Sequence, residues 1–135
     1  MKILLDTHVI IWALTDDSRL NYAARDLLSA PENLVFYSVA SLWEIAIKNQ
    51  KAPDKCPYHE KEIMEFCSQA GYLPLDIQAA HVFGVRNLKI RKDRIPSNYD
   101  PFDRILLSQA KTEASTFLSH DTVFENYDES CIFMI

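Results

Sequence analysis

The amino-acid sequence predicts a single α/β domain, spanning residues 1–135, with a mainly parallel central sheet of about five strands. Short apolar segments alternate with segments in which apolar residues recur at helical spacing, as expected when helices connect parallel strands. A chain of 135 residues, 48% of them hydrophobic, is long enough to bury one core. The sequence contains no repeat, low-complexity tract or linker that would mark a second domain.

Five segments have the length and apolar character of strands, namely KILLD, NLVFYS, YLPLD, STFLS and CIFMI. The first is apolar on both faces, which is typical of a parallel strand covered by helices on either side. The proline in the third favours the edge or the end of the sheet, since proline cannot donate a ladder hydrogen bond. A helical excursion marked by PDKCP is expected between the second and third strands.

Helical spacing fills the intervals between these strands. It is present in segments 20–28, 39–50, 63–70, 77–88 and 101–114. Gly71 follows the third of these segments, at a position where glycine commonly ends a helix. The segment TVFENYD predicts a short turn or helix before the last strand.

The composition excludes several classes of protein. The formal net charge of -5 argues against a general nucleic-acid coat, although a local basic patch remains compatible with it. With only two glycines, Gly71 and Gly84, the chain cannot form a glycine-rich phosphate-binding loop. The apolar start KILLDTHVIIWAL is interrupted by Asp6 and His8 and lacks a small-residue cleavage site, so it predicts neither a signal peptide nor a membrane span.

The cysteines indicate a reducing compartment. Cys56, Cys67 and Cys131 have neither paired spacing nor a CxxC motif, so they are expected to be reduced thiols in a cytoplasmic protein.

Four acidic residues stand out by their position relative to the predicted elements. Asp6 ends the first strand and Asp121 follows the fourth, while Asp103 opens the helix that leads into the fourth. Glu44 lies in SLWEIAI, where apolar neighbours make a solvated carboxylate improbable unless that face lines a cleft. Because ligands of open parallel sheets bind outside the carboxyl ends of the strands, the four acids are candidates for one site.

Each acid also has a purely structural interpretation, which the sequence leaves open. Asp6 and Asp121 are suited to capping the helices that follow them. Asp100 precedes a proline, which predicts a helix cap, and Asp103 then falls in the first turn, where an acid is favourable. Glu44 and Lys48 have the i, i+4 spacing of a surface ion pair.

Taken together, the acids favour a cation site. Carboxylates crowded into one cleft repel each other, and a divalent cation removes that penalty. Oxygen ligands without histidine or cysteine suit a hard ion such as Mg²⁺ or Mn²⁺. Such an ion activates water and stabilises the charge that develops during phosphodiester hydrolysis.

Four segments, ILLDTHVIIWAL, YSVASLWEIAIK, DPFDRILLSQA and TFLSHDTVF, resemble in order and spacing the PIN-domain ribonucleases, particularly the VapC-like toxins of toxin–antitoxin pairs. The resemblance implies a three-layer α/β/α domain and an endoribonuclease that cleaves single-stranded RNA. It also implies a homodimer and a cognate antitoxin that covers an apolar groove near the site. HVIIWAL and the helix of residues 20–28 are candidates for this groove, and both equally suit a plain core.

The resemblance also assigns roles to individual residues. It implies that the Mg²⁺ or Mn²⁺ ligands and catalytic acids are Asp6, Glu44, Asp103 and Asp121. Hydroxyl groups at the strand ends, which would contact substrate, are those of Thr7, Ser38 and Ser119. Related sequences often have a histidine at the position of Asn98, so that residue departs from the family pattern.

An acidic site needs basic residues nearby to hold RNA. The segment RNLKIRKDR, residues 86–94, could receive phosphates, with Arg104 closer to the acids. The alternative is a solvated loop. Tyr99 and Phe102 could stack on bases, but Phe102 and His81 are expected in the core, and His120 is a weaker candidate for a substrate contact.

Two other functions compete with a nuclease. A Mg²⁺-dependent phosphoacceptor signalling domain also clusters acids at strand ends, but it normally has adjacent acids after the first strand and a lysine after a late strand. Here LLDTHV has one acid and no lysine follows Lys111. The other alternative is a catalytically inactive binding module in which the acids serve only as helix caps.

Overall fold

The computed structural model describes residues 1–93 and 100–135, and the predicted α/β/α fold is confirmed. Its sheet contains the strands β1 (Lys2–Leu5), β2 (Leu34–Ser38), β3 (Leu73–Leu75), β4 (Thr116–Ser119) and β5 (Ile132–Met134). All four strand pairs are parallel, and the order across the sheet is β3-β2-β1-β4-β5. The chain therefore runs outward from β1 to one edge, returns to the other side of β1 and continues outward to β5.

Six α-helices occur in the described residues, at α1 (Thr7–Leu14), α2 (Tyr22–Ser29), α3 (Val39–Lys51), α4 (Glu60–Gln69), α5 (Ala79–Gly84) and α6 (Pro101–Thr112). Single 3₁₀ turns are formed by Val85–Asn87 and Thr122–Asn126. As expected, α3 and α4 separate β2 from β3. None of these described helices is long and apolar enough to cross a membrane.

The core lies on both faces of β1, as the sequence KILLD predicts. Ile3 and Leu5 belong to the cluster on one face of the sheet, Leu4 belongs to the cluster on the other, and all three are fully buried. The first cluster includes Ile10 of α1, while the second includes Leu107 of α6. This arrangement fixes the register of β1, since a one-residue slip would exchange the two faces.

Several helix ends follow from the residues at their caps. Asn21 Oδ1 accepts a hydrogen bond from Ala24 N at 3.0 Å, so α2 begins after Asn21 and Leu20 lies outside the helix. Gly71 has φ = 82°, a left-handed conformation that glycine adopts without strain, and it ends the α4 segment as predicted. The predicted helix over residues 77–88 is shorter than its apolar spacing suggests, because α5 tightens into a 3₁₀ turn after Gly84.

Gly84 permits close packing of α5 on α6. A Cβ atom at this position would lie 2.6 Å from Ser108 Oγ and 3.3 Å from Thr112 Oγ1. Ser108 Oγ in turn donates a 2.5 Å hydrogen bond to the carbonyl oxygen of His81, in a buried environment. A side chain at position 84 would therefore displace the Ser108 hydroxyl and leave a buried carbonyl group unsatisfied.

We expect Gly84→Ala to lower the free energy of unfolding by about 1 kcal/mol, because the lost hydrogen bond outweighs the better helix propensity of alanine. In a Ser108→Ala background, which lacks the displaced hydroxyl, Gly84→Ala should be neutral or stabilising. Urea unfolding of the four proteins of this double-mutant cycle measures the difference. Equal effects of Gly84→Ala in both backgrounds would contradict the proposed packing.

Candidate active site at the carboxyl ends of β1 and β4

The site is built around one buried hydroxyl group. Ser119 Oγ donates to Asp6 Oδ2 at 2.7 Å and accepts from Asp121 N at 3.0 Å. Because β1 and β4 are neighbours in the sheet, residues 113 positions apart in the chain meet at this hydroxyl. The Ser119 side chain therefore ties the ends of the two strands together and fixes the Asp6 carboxylate beside the turn of Asp121.

Asp6 is buried, with only 4% of its surface exposed. Its Oδ1 accepts from Thr7 N at 2.8 Å, so Asp6 caps α1 as the structural interpretation predicted. Burial raises the pKa of Asp6 and outweighs the opposing hydrogen bonds from Ser119 and Thr7; His8 lowers the pKa and Glu44 raises it further.

Glu44 is joined to Asp6 through Thr7. The Thr7 Oγ1 atom lies 2.6 Å from Glu44 Oε1 and 2.9 Å from Ser41 Oγ. A single hydroxyl proton serves one acceptor, and the carboxylate is the stronger, so Thr7 donates to Glu44 and accepts from Ser41. The predicted pair with Lys48 also forms, at 2.9 Å between Nζ and Oε2. Glu44 thus accepts a hydrogen bond from the residue that follows Asp6 and forms an ion pair with Lys48 at the same time.

Lys48 stays protonated beside these acids. Burial lowers the pKa of Lys48, but the hydrogen bond and negative charge of Glu44, with smaller contributions from Cys56 and Asp100, raise it above its ordinary value.

Asp103 enters the site from the first turn of α6. As expected, Asp100 caps this helix: its Oδ1 accepts from Phe102 N at 2.8 Å and from Asp103 N at 3.2 Å. Burial raises the pKa of Asp103 to about 8, assisted by the negative charges of Asp100, Asp6, Asp121 and Glu44. The four predicted acids therefore act electrostatically on one another, although they come from four separate segments.

The acids do not form a ready-made ligand shell. In residues 1–93 and 100–135, no three His, Cys, Asp or Glu side chains are grouped closely enough to hold a metal ion as they stand. Asp121 caps the following turn through a 3.0 Å hydrogen bond from Val123 N, as Asp6 and Asp100 cap their helices. Each carboxylate has further lone pairs beyond its cap, so capping and ligation are compatible. The donor set, which consists only of oxygen atoms, fits Mg²⁺ or Mn²⁺.

Two of the predicted substrate residues, Ser38 and Arg104, form hydrogen bonds to groups other than the four acids. Ser38 is fully buried; its Oγ lies 2.5 Å from Gln109 Oε1 and accepts from Ala40 N at 3.0 Å, so it caps α3. Arg104 donates from Nη2 at 3.0 Å to the carbonyl oxygen of Val85, in the 3₁₀ turn that follows α5. Thr7 and Ser119 are buried as well, and their hydroxyls hold the acids.

The described part of the basic segment does not form one patch. Arg86 lines an apolar groove, whereas the backbone N of Arg91 donates to Asn126 O and its Nε donates to Glu125 O. Arg91 also shares a cavity with the acids Asp93, Glu125 and Glu129. The remaining residues singled out in this region, Arg94, Asn98 and Tyr99, lie outside the described residues.

A wide apolar groove lies beside the acids. It is lined by residues other than HVIIWAL and the helix of residues 20–28, which were the candidates from the sequence. Its cavity of about 830 Å³ is lined by Trp43, Ile47, Ile77, Val82, Phe102 and Ile105, among others. Trp43, next to Glu44 in the chain, is 62% exposed and packs edge-to-face on Phe102, next to Asp103, at 5.0 Å between ring centroids.

The structure decides whether Phe102 and the HVIIWAL helix lie at a groove or in the core. Phe102 lies at the surface groove, whereas the core was expected. The sequence left two uses open for HVIIWAL, a groove or a plain core, and the structure shows core, because Val9, Ile10 and Trp12 are buried against the sheet. Leu27 and Leu28 of the second candidate also pack on that core.

His81 and His120 lie in different environments. His81 is a satisfied core residue as predicted, with Nδ1 accepting from Gln78 N at 3.0 Å and Nε2 lying 2.8 Å from Glu113 Oε1. His120 Nδ1 lies 2.5 Å from the carbonyl oxygen of Ile135, so this ring nitrogen contacts the last residue of the chain.

A second cavity, of about 350 Å³, was not predicted from the sequence. It opens between α1 and α3 and is edged by three lysines, Lys48, Lys51 and Lys55, together with Thr7 and His8. We call it the lysine cavity. The i, i+3, i+7 spacing of the lysines in the sequence is the signal that could have revealed it.

Comparison with known proteins agrees with this architecture. The fold is similar to a solved VapBC2 complex from Rickettsia felis bound to a promoter DNA fragment, with a TM-score of 0.68, 18% identity, and coverage of 100% of this chain and 98% of that one. It is also similar to a DNA-bound VapBC from Salmonella typhimurium (TM-score 0.67, 18% identity, coverage 99% and 98%).

A third solved structure is the sarcin–ricin loop cleaving toxin VapC20 of Mycobacterium tuberculosis (TM-score 0.53, 15% identity, coverage 84% and 85%). A sequence search of curated proteins finds no match. The profile of the PIN domain matches residues 3–130, which is nearly the whole chain. The chain therefore belongs to the PIN-domain family.

Proposed function

We propose that this protein is a Mg²⁺- or Mn²⁺-dependent endoribonuclease that hydrolyses phosphodiester bonds in single-stranded RNA. The observation that carries the proposal is the convergence of carboxylates from four segments on Asp103, whose pKa burial and the neighbouring negative charges raise to about 8. A hard divalent cation relieves this repulsion, and PIN-family membership supports a nuclease. The solved VapC20 toxin, which is described as cleaving the sarcin–ricin loop, supports RNA as the substrate.

In this proposal Asp6, Asp103 and Asp121 bind the ion, and Glu44 completes the ligand shell or orients the attacking water. The ion, when bound, supplies a polarised water and stabilises the charge on the entering and departing oxygens. Thr7 and Ser119 contact the acids and hold them in position. Arg104, which lines the apolar groove, and Ser38, whose buried hydroxyl caps α3, stay predicted substrate residues.

The partners belong to the same proposal. Four of the solved neighbours are VapBC or toxin–antitoxin complexes, among them those from Rickettsia and Salmonella. We propose that this chain is likewise the toxin of such a pair, a cytoplasmic homodimer neutralised by a cognate antitoxin. Its cysteines support a reducing compartment, since Cys56, Cys67 and Cys131 are all free thiols.

The capping role of Asp6, Asp100 and Asp121 favours the competing interpretation, an inactive binding module. A metal titration separates the two. Mn²⁺ should raise the melting temperature of the wild-type protein, because an ion at about 100 times its Kd adds about 2.7 kcal/mol of stability. Asp6→Asn and Asp121→Asn should lose this response while they keep their caps, since asparagine caps as well as aspartate.

Cleavage is measured on the same proteins with a mixed pool of single-stranded RNA. We expect activity with Mg²⁺ or Mn²⁺, none with EDTA, and a loss of two or more orders of magnitude in Asp6→Asn, as for other charged groups that act on the reacting centre. Asp26→Asn, at an exposed acid on α2, is the matched control. Activity that survives EDTA, or that is equal in Asp6→Asn, would refute the proposal.

A further prediction concerns the metal-free protein and pH. Asp103 has a folded pKa of about 8 against an ordinary value of 3.8, so between these values the folded state holds a proton that the unfolded state has released. Stability should therefore fall as the pH rises through this window. Asp103→Asn removes the titrating group, so it should raise the melting temperature relative to wild type at about pH 9 but not near pH 4.

Thermal unfolding in EDTA across this pH range measures the effect, again with Asp26→Asn as control. A melting-temperature difference between Asp103→Asn and wild type that does not change with pH would show that Asp103 is not held among the other acids.

A further inference from the structure

The lysine cavity adjoins the acids but is not explained by them. Its wall includes Thr7, which donates to Glu44, and Lys48, which forms an ion pair with Glu44. The cavity therefore begins one side chain away from the proposed metal ligands. Its position makes it the immediate neighbour of a phosphate bound at the acids.

The charge of the lysine cavity is opposite to that of the protein as a whole. The chain carries a formal net charge of -5, yet three of its 14 lysines and arginines edge this one cavity. Lys51 and Lys55 are exposed, and among the described residues neither forms an ion pair. Their ammonium groups are therefore available to an anion.

Helix stability explains only part of this cluster. Lys48 and Lys51 lie in the last turn of α3, where cations favour the helix dipole. Lys55 lies beyond the helix, in a loop that is fixed by the hydrogen bond from Asn49 Nδ2 to Cys56 O at 2.8 Å. His8 comes from a different helix, α1. Two elements thus direct basic side chains to one cavity, which the dipole of α3 does not require.

The basic segment named from the sequence is a poorer receptor for phosphate. In the part that the structure describes, Arg91 binds the backbone carbonyl of Glu125 and lies in a cavity with three acids, while Arg86 lies at the apolar groove. A phosphate entering near Arg91 would meet carboxylates. By contrast, none of the residues that line the lysine cavity is acidic.

We propose that the lysine cavity binds the phosphodiester backbone of the RNA strand on one side of the bond to be cleaved, through Lys51 and Lys55. This inference rests on the proposed function and adds the direction in which the strand leaves the acids. Lysine ammonium groups bind phosphate as point charges without reading the base, so the contact is independent of sequence. Lys48 already binds Glu44, and for that reason the test does not use it.

The test compares Lys51→Ala/Lys55→Ala with Lys2→Ala/Lys61→Ala, which removes the same charge from exposed lysines that do not line the cavity. A fluorescent single-stranded RNA of mixed sequence is titrated with each protein in EDTA at about 0.05 to 0.2 M salt, where log K falls by about 0.7 per phosphate contact for each unit of log salt. We expect the cavity variant to bind about ten-fold or more weakly, with a salt slope reduced by about 1.4. The control variant should match wild type.

The same titration with single-stranded DNA identifies the group that is bound. A backbone phosphate contact predicts equal losses for DNA and RNA, whereas a loss confined to RNA would overturn it, since it would indicate a contact with the 2′-hydroxyl. Equal affinity and salt slope for the two double variants would also overturn the inference. Thermal unfolding confirms that both variants are folded.

Cleavage assays separate this inference from the proposed function. If wild type cleaves RNA and the cavity variant has an unchanged KM, the inference fails and the nuclease stands. If wild type cleaves no RNA with either metal, the proposed function fails, and the binding titration in EDTA still decides whether the cavity binds nucleic acid. A raised KM with little change in kcat, in the cavity variant alone, supports both.

Discussion

The repulsion between carboxylates at the ends of β1 and β4 is the constraint around which this site is organised. Asp6 is almost fully buried, Asp103 lies in the field of four other acids, and neither environment favours a charged group. The protein tolerates this arrangement because hydrogen bonds hold the acids individually. Ser119 and Thr7 donate to Asp6 and Glu44, while backbone N–H groups donate to Asp6, Asp100 and Asp121. These contacts fix each acid without removing the negative field they share.

Helix capping and metal binding are therefore not alternatives at this site. A cap uses one oxygen of a carboxylate, and the four lone-pair sites of the group leave others for a cation. Each cap also fixes the position of its acid, because the hydrogen bond attaches the carboxylate to the start of a helix or turn. The same hydrogen bonds that stabilise these elements therefore also hold Asp6 and Asp121 at the carboxyl ends of β1 and β4.

The surfaces on either side of the acids differ in chemistry. On one side, Trp43 and Phe102 line an apolar groove, and each is adjacent in the chain to one of the acids. On the other, the lysine cavity presents positive charge next to Thr7 and Glu44. α3 contributes to both, because Trp43 and Lys48 lie on different sides of the same helix and Glu44 lies between them in the chain. The basic surface suits a polyanion, and the neighbouring apolar surface suits a protein partner.

The sequence by itself determined the fold, and it singled out the acids that we propose as ligands. These predictions depend on the spacing of residues within short segments, which is present in the sequence itself. They rest on the alternation of strand and helix patterns, the apolar character of both faces of KILLD, and the position of the acids at the ends of strands. Recognition of the four PIN-like segments added the choice of Asp103 as the proposed ligand in this segment, and the structure shows that Asp100 caps the same helix. Only the tertiary structure decided which surfaces are exposed. Phe102 and the HVIIWAL helix are equally apolar in sequence, but one lies at a groove and the other in the core, because burial depends on what packs against a face. The lysine cavity likewise exists only because α1 lies next to the end of α3 and the loop after it. The spacing of its lysines can be read from the sequence, but the contact between these distant segments cannot.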